Sequence, residues 1–150
     1  MIEAAQIGAG DRVLEVGAGS GYAAAEIGRI AATVIAIERL PELAAVARER
    51  MERLGYRNVS IVEGDGTCGW PDGAPYDAIL AAASGSHVPQ PLIDQLAPGG
   101  RLVMPVGGRA WVQQLVKLTR FADGRIERER LGEVRFVPLI GEEGWSESGQ

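Results

Sequence analysis

The sequence predicts an α/β fold: a doubly wound, mostly parallel sheet closed by a C-terminal antiparallel hairpin. Three observations predict it. Strand-like and helix-like apolar segments alternate along most of the chain. A glycine-rich loop joins the first strand to the first helix. The alternation then stops, and two long strand-like runs flank a tight turn.

In order, Arg12–Val16 reads as a short buried strand. Ser20–Ala31 reads as a helix, rich in alanine with Ile27 and Ile30 on one face. Thr33–Glu38 is a β-branched run and hence a second strand. Pro41 suits the first turn of a helix running to about Leu54. Asn58–Glu63 is the third strand. The turn-rich stretch Pro71–Pro75 leads into the fourth, Tyr76–Ala82. Pro89–Leu96 is a short helix ended by Pro98-Gly99-Gly100, and Arg101–Pro105 is the fifth strand. The runs Trp111–Arg120 and Glu127–Val137 flank Ala122-Asp123-Gly124 as a hairpin. The arrangement is Rossmann-like, and such sheets bind ligands beyond the carboxyl ends of the strands, where the strand order reverses. One domain is expected over 1–140, followed by a polar tail, 141–150, which has few apolar residues and is expected to fray.

Bulk properties narrow the function. A chain of 150 residues suits one domain with a sizeable core. The net charge of −5, with no basic patch, argues against a nucleic-acid partner. The arginines of Arg125–Arg130 alternate with Glu127 and Glu129 and read as a solvated face. Cys68 is the sole cysteine, which excludes a disulfide framework and a cysteine-based metal site, and no metal is expected. No signal peptide or membrane-length apolar run is visible, so a cytoplasmic location without membrane partners is expected.

The glycine excess, 21 residues, is concentrated where chemistry is expected. In Val13-Leu14-Glu15-Val16-Gly17-Ala18-Gly19-Ser20-Gly21-Tyr22 the glycines fall at every second position. They allow a sharp turn and a close ligand approach, and the following helix aims free N–H groups at the ligand. The dinucleotide fingerprint needs its third glycine at position 22, which is Tyr22 here. A nucleoside with an amino-acid tail, lacking phosphate, suits the loop better than a pyrophosphate. Glu38, ending the second strand, can accept hydrogen bonds from both ribose hydroxyls. Gly64-Asp65-Gly66, just after the third strand, can receive an adenine amino group.

These segments resemble the protein-L-isoaspartate O-methyltransferase family. The likeness runs through Val13–Tyr22, Ile37-Glu38-Arg39, Leu54-Gly55-Tyr56, and Gly64-Asp65-Gly66 with Gly69-Trp70. It continues in Ala74-Pro75-Tyr76-Asp77, in Pro98-Gly99-Gly100-Arg101-Leu102-Val103, and in Phe136-Val137-Pro138-Leu139. The resemblance implies methyl transfer from S-adenosylmethionine to the carboxylate of isoaspartyl residues in proteins, a repair reaction that leaves S-adenosylhomocysteine. It implies a cofactor set of Glu15, Gly17, Ala18, Gly19, Gly21, Tyr22, Glu38, Arg39, Gly64, Asp65, Gly66 and Ala81. Within that set Glu38 would hold the ribose, Asp65 and Gly66 the adenine side, and the loop glycines the methionine half. Ala81–Ser86 would border the transfer site.

A carboxylate nucleophile is already ionised at neutral pH, so no catalytic base is expected. His87, the sole histidine, and the nearby Ser84 and Ser86 read as either substrate contacts or ordinary loop residues. Trp70 and Tyr22 would pack beside the cofactor or close the core. Family members carry several dozen residues before the first strand, and this chain resembles only the end of that segment. It is therefore expected to bind cofactor but to methylate peptides poorly, as a monomer or with weak self-association. The alternatives are a methyltransferase for another small acceptor and a non-catalytic cofactor-binding module.

Overall fold

The computed structural model describes residues 1–108 and 111–147. Seven strands form one sheet: β1 (Arg12–Val16), β2 (Thr33–Glu38), β3 (Val59–Glu63), β4 (Tyr76–Ala81), β5 (Leu96–Val106), β6 (Gln113–Arg120) and β7 (Ile126–Val134). Their order is β3-β2-β1-β4-β5-β6-β7. The pairs from β3 through β5 are parallel, and β5–β6 and β6–β7 are antiparallel. The expected fold class therefore holds.

The helices are α1 (Tyr22–Gly28), α2 (Pro41–Leu54) and α3 (Gln90–Asp94). Both faces of the central strands are apolar, because both must be covered in a parallel sheet. One face packs Val13, Val34, Ala36 and Leu80 against Ala24 and Ile27 of α1 and Ala44, Ala47 and Met51 of α2. The other packs Leu14, Ile37, Ile79 and Leu102 against Leu92 of α3 and Leu139. The N-terminal segment covers part of the first face. Arg101 holds it there, donating to Ala5 O (2.8 Å) and Gln6 O (2.9 Å) and pairing with Asp11 (2.8 Å).

Several boundaries move. The first helix is seven residues rather than twelve, starting after Gly21 and closing at Gly28. The Pro98-Gly99-Gly100 stretch lies inside β5 instead of ending a helix, because Leu96 already pairs with Tyr76 and a register shift before Ala78 absorbs the detour. Strand β7 stops at Val134, and Val137–Leu139 turn back to bond Ser84. The hairpin turn is as expected: Gly124 takes φ +89° and Arg125 N–H donates to Asp123 Oδ1. Residues Arg125–Arg130 are all exposed, in keeping with a solvated face. Residues 141–147 do not stand free. They bond to Asp65, Thr67 and Ser84, which corrects the expectation that this stretch frays; the rest of the tail, 148–150, lies outside the described residues.

Candidate functional site

The chain leaves β1, β2 and β3 on one side of the sheet and returns to β4 on the other side of β1. The crevice beyond Val16 and its β4 partner Ala81 is thus the point where strand order reverses. The glycine loop lies over it. Gly17 and Ala18 N–H both donate to Ile37 O, at 2.9 and 3.0 Å, which folds the loop onto the end of β2. Gly17, Gly19 and Gly21 adopt φ of +90°, +54° and +92°. At Gly21 space adds to conformation: a Cβ there would lie 3.1 Å from Met51 Cε and 3.3 Å from Ala47 Cβ, so α1 can meet α2 only through a glycine.

Glu38 closes the loop from the other side. Its Oε1 accepts from Gly19 N–H (2.8 Å) and its Oε2 from Leu40 N–H (3.0 Å), with 7% of the residue exposed. A carboxylate has about four acceptor sites, so both oxygens keep capacity for further donors. In front of it lies a cavity of about 280 Å³. Gly17, Gly19, Glu38, Arg39 and Gly66 supply its polar and backbone lining. Val16, Ile37, Leu40, Leu43, Ala82, Ala83 and residues 137–140 make apolar walls. A larger hollow of about 570 Å³ sits on the outer side of α2 and β3, lined by Arg48, Tyr56 and Arg57 among others, away from the strand ends where chemistry converges.

Glu15 faces a separate chamber of about 50 Å³ with Met1, Ile2, Ala23, Ile27 and Leu80, which shares Ala82 with the main cavity. It is 2% exposed and its Oε1 has no hydrogen-bond partner. Burial, reinforced by the charge of Glu38, pushes its carboxyl up to about 8, so it is largely protonated at neutral pH.

Asp65 faces another way. Its Oδ1 accepts from Thr67 N–H (3.0 Å) and Oγ1 (2.6 Å), and its Oδ2 accepts from Glu142 N–H (2.8 Å). Burial raises the Asp65 carboxyl, but the bonds from Glu142 and Thr67 outweigh it and hold the group below its ordinary value.

Of the twelve residues expected to bind cofactor, the main cavity brings together Gly17, Gly19, Glu38, Arg39 and Gly66. Ala18 and Gly21 shape the loop behind it. Gly64 N–H donates to Glu38 O and steadies the neighbouring strand end. Tyr22 stands apart, 70% exposed under the Arg50 guanidinium at 4.2 Å. Ala81 is buried within β4, and its successors Ala82 and Ala83 line the cavity. Ser84 is fully buried, its N–H bonded to Val137 O; Ser86 and His87 are exposed and bond each other at 2.9 Å. Trp70 packs against the core. Phe136-Val137-Pro138-Leu139 carried part of the family likeness, but sequence reasoning gave it no place in the site and missed that 137–140 form a wall of the cavity. Among the described residues Asp65, Cys68 and Glu142 cluster, but Asp65 is already engaged by its own loop.

A glycine loop, a strand-end carboxylate and a cavity at the reversal of a seven-stranded mixed sheet define a Rossmann-like methyltransferase fold. The family model for protein-L-isoaspartate(D-aspartate) O-methyltransferase matches residues 1–144, and the chain belongs to that family. It is 54% identical over 145 residues to protein-L-isoaspartate O-methyltransferase 2 of Pelobacter propionicus, covering 97% of this chain and 64% of the relative. It is 57% identical over 146 residues to protein-L-isoaspartate O-methyltransferase 1 of Rhodopseudomonas palustris strain HaA2, covering 97% of this chain and 60% of the relative. The chain thus spans a little under two thirds of the length of these curated relatives. Among solved structures, a protein-L-isoaspartate O-methyltransferase superposes with TM-score 0.87 at 32% identity, over 95% of this chain and 46% of that one. A putative member from Plasmodium falciparum, in complex with S-adenosyl-L-homocysteine, superposes with TM-score 0.75 at 29% identity, over 89% and 67% of the two chains.

Proposed function

We propose that this chain forms the S-adenosylmethionine site of a protein-L-isoaspartate O-methyltransferase. The observation that carries the reading is Glu38, buried at the end of β2 and bonded to the glycine loop across the main cavity. The lining fits the cofactor in kind: an acceptor pair for vicinal hydroxyls, glycines that leave backbone accessible, and apolar walls for a flat ring. Glu38 would hold the ribose, Gly17 and Gly19 the methionine half, and Gly66 with residues 137–140 the adenine end. The neutral Glu15 beside the adjoining chamber would meet the charged end of the methionine tail.

Bound S-adenosylmethionine supplies an electrophilic methyl group. The acceptor, an isoaspartyl carboxylate on a protein or peptide, is ionised at neutral pH and needs no base. The chain's own part is to align the reactants and exclude water, which Ala82, Ala83 and the apolar wall do. The reading includes a cytoplasmic protein-repair role and protein rather than nucleic-acid substrates, in keeping with the net charge of −5.

Calorimetry with S-adenosylhomocysteine tests the cofactor site; binding of NAD with no binding of S-adenosylhomocysteine would overturn it. A radiolabelled-methyl assay with isoaspartyl and aspartyl peptides tests the acceptor. Turnover by the 150-residue chain is expected to be low. Arg39 is the one cation among the described residues lining the cavity, and while its pair with Glu147 holds, a peptide carboxylate there has no counter-ion. Turnover equal to that of a longer relative would refute that expectation.

A further inference from the structure

One short segment ties together the ends of three strands. Beyond β7 the chain returns across the cavity, where Ser84 N–H donates to Val137 O (2.7 Å) and Leu139 N–H to Ser84 O (2.8 Å). It then forms a small closed turn, with Trp145 N–H on Leu139 O (2.8 Å) and Gly141 N–H on Trp145 O (3.1 Å). From this turn Trp145 Nε1 reaches Ser84 O beyond β4 (3.1 Å), Glu142 N–H reaches Asp65 beyond β3 (2.8 Å), and Glu143 N–H reaches Thr67 Oγ1 (3.0 Å). Glu147 pairs with Arg39 beyond β2.

The two ends of this segment are held differently. Leu139 is 6% exposed and belongs to the core, whereas Glu142, Glu143 and Glu147 are exposed and hold on by polar contacts alone. Lifting 141–147 therefore breaks the polar contacts of Glu142, Glu143 and Glu147 and uncovers the half-buried Trp145, while Leu139 stays in the core. The approach over Asp65 is also close: a methyl group on Gly141 would collide with Asp65 Oδ1 and lie 2.7 Å from Thr67 Cγ2. With the segment down, the Asp65 carboxylate is turned to Thr67 and Glu142, and the cavity, about 280 Å³, falls just short of the ~300–1,000 Å³ of common ligand sites.

We propose that residues 141–147 are a gate over the adenine end of the cavity, hinged at Leu139–Ile140 and latched by the Glu142 N–H bond to Asp65. It opens when a nucleobase amino group takes that carboxylate. The proposal rests on the nucleoside-site reading above. The gate couples ligand entry to a local rearrangement, so its opening sets the association rate.

The test uses the full chain and two variants, Gly141→Ala and Trp145→Phe, with S-adenosylhomocysteine as ligand. Surface plasmon resonance gives both rate constants, and hydrogen exchange reads the Glu142 amide with and without ligand. In the free wild-type protein the Glu142 amide is expected to be protected, and saturating ligand to remove that protection. Gly141→Ala is expected to remove it without ligand and to raise the association rate about tenfold, the change that one lost charge-assisted hydrogen bond supports. Trp145→Phe, which removes the Nε1 bond to Ser84 O, is expected to raise it several-fold. If ligand binds wild type while Glu142 stays protected, or if the variants change only the dissociation rate, the segment is a fixed wall and the gate is refuted. If wild type binds no S-adenosylhomocysteine, the nucleoside-site reading fails and the gate with it.

Discussion

Replacing Glu15 by glutamine keeps the shape of the side chain and removes its charge. In the unfolded chain this carboxyl titrates at its ordinary value, 4.5; in the folded protein it titrates at about 8, raised by burial and by Glu38. The sign follows from linkage. The folded state binds the proton more tightly, so the stabilisation from protonated Glu15 is fully present below pH 4.5 and is lost as pH rises to about 8. Each pH unit in that window is worth about 1.4 kcal/mol, so the whole window withdraws on the order of 3–5 kcal/mol. With the residue 2% exposed, solvent screens little of it. Urea denaturation of wild type and Glu15→Gln, followed by tryptophan fluorescence from pH 4.5 to 9, gives the difference in stability at each pH. That difference should shift in favour of the variant by a few kcal/mol between the two ends. At pH 4.5 the variant should be equal or slightly weaker, because the amide brings donors into an apolar chamber. A difference that stays level across the range would mean that Glu15 is hydrated or paired in solution, and the account of its burial would be wrong.

Three further outcomes are expected. Glu38→Ala should weaken S-adenosylhomocysteine binding at least tenfold by calorimetry, from lost ribose contacts, and lower stability by about 1–3 kcal/mol because Gly19 and Leu40 N–H lose their acceptor; unchanged affinity in a folded variant would reduce Glu38 to a loop clamp. Arg101→Ala should lower stability by about 2–4 kcal/mol in urea titrations and speed hydrogen exchange through residues 1–8, since that one guanidinium joins Ala5, Gln6 and Asp11. Gly21→Ala should cost about 1–3 kcal/mol in thermal melts, from φ +92° and the contact with Met51; a neutral result would mean that the loop relaxes freely.

The central strands were legible in the sequence because each lies between two covered faces and so reads as an unbroken β-branched run, as in Val34-Ile35-Ala36-Ile37. Their ends were less so. A register shift, like the one that draws Leu96–Gly100 into β5, depends on a partner strand that local pattern does not reveal. In the candidate site, Gly17, Gly19 and Glu38 could be found because they sit at fixed offsets from a strand end. Asp65 occupies the expected position, but its orientation is set by Thr67 two residues on and by Glu142 far along the chain. The Glu142 contact, like the wall at 137–140, joins segments distant in sequence, and no periodicity encodes such a meeting.

The outermost strand, β7, leaves a full row of backbone donors and acceptors open to water. Arg128 and Arg130 pair with Leu118 and Val116 of β6 and so share one face, while Glu127 and Glu129 share the other. Were two molecules to join these edges about a two-fold axis, each face would meet its own kind, arginine beside arginine and glutamate beside glutamate, all at the point of losing water. Neutral residues in those places would leave a sticky ribbon able to extend a sheet from one molecule into the next, the geometry from which fibrils grow. The alternation of sign that makes this strand look featureless in the sequence would thus act as a fence, placing like charges wherever a second copy of this edge would have to dock while asking nothing of the core.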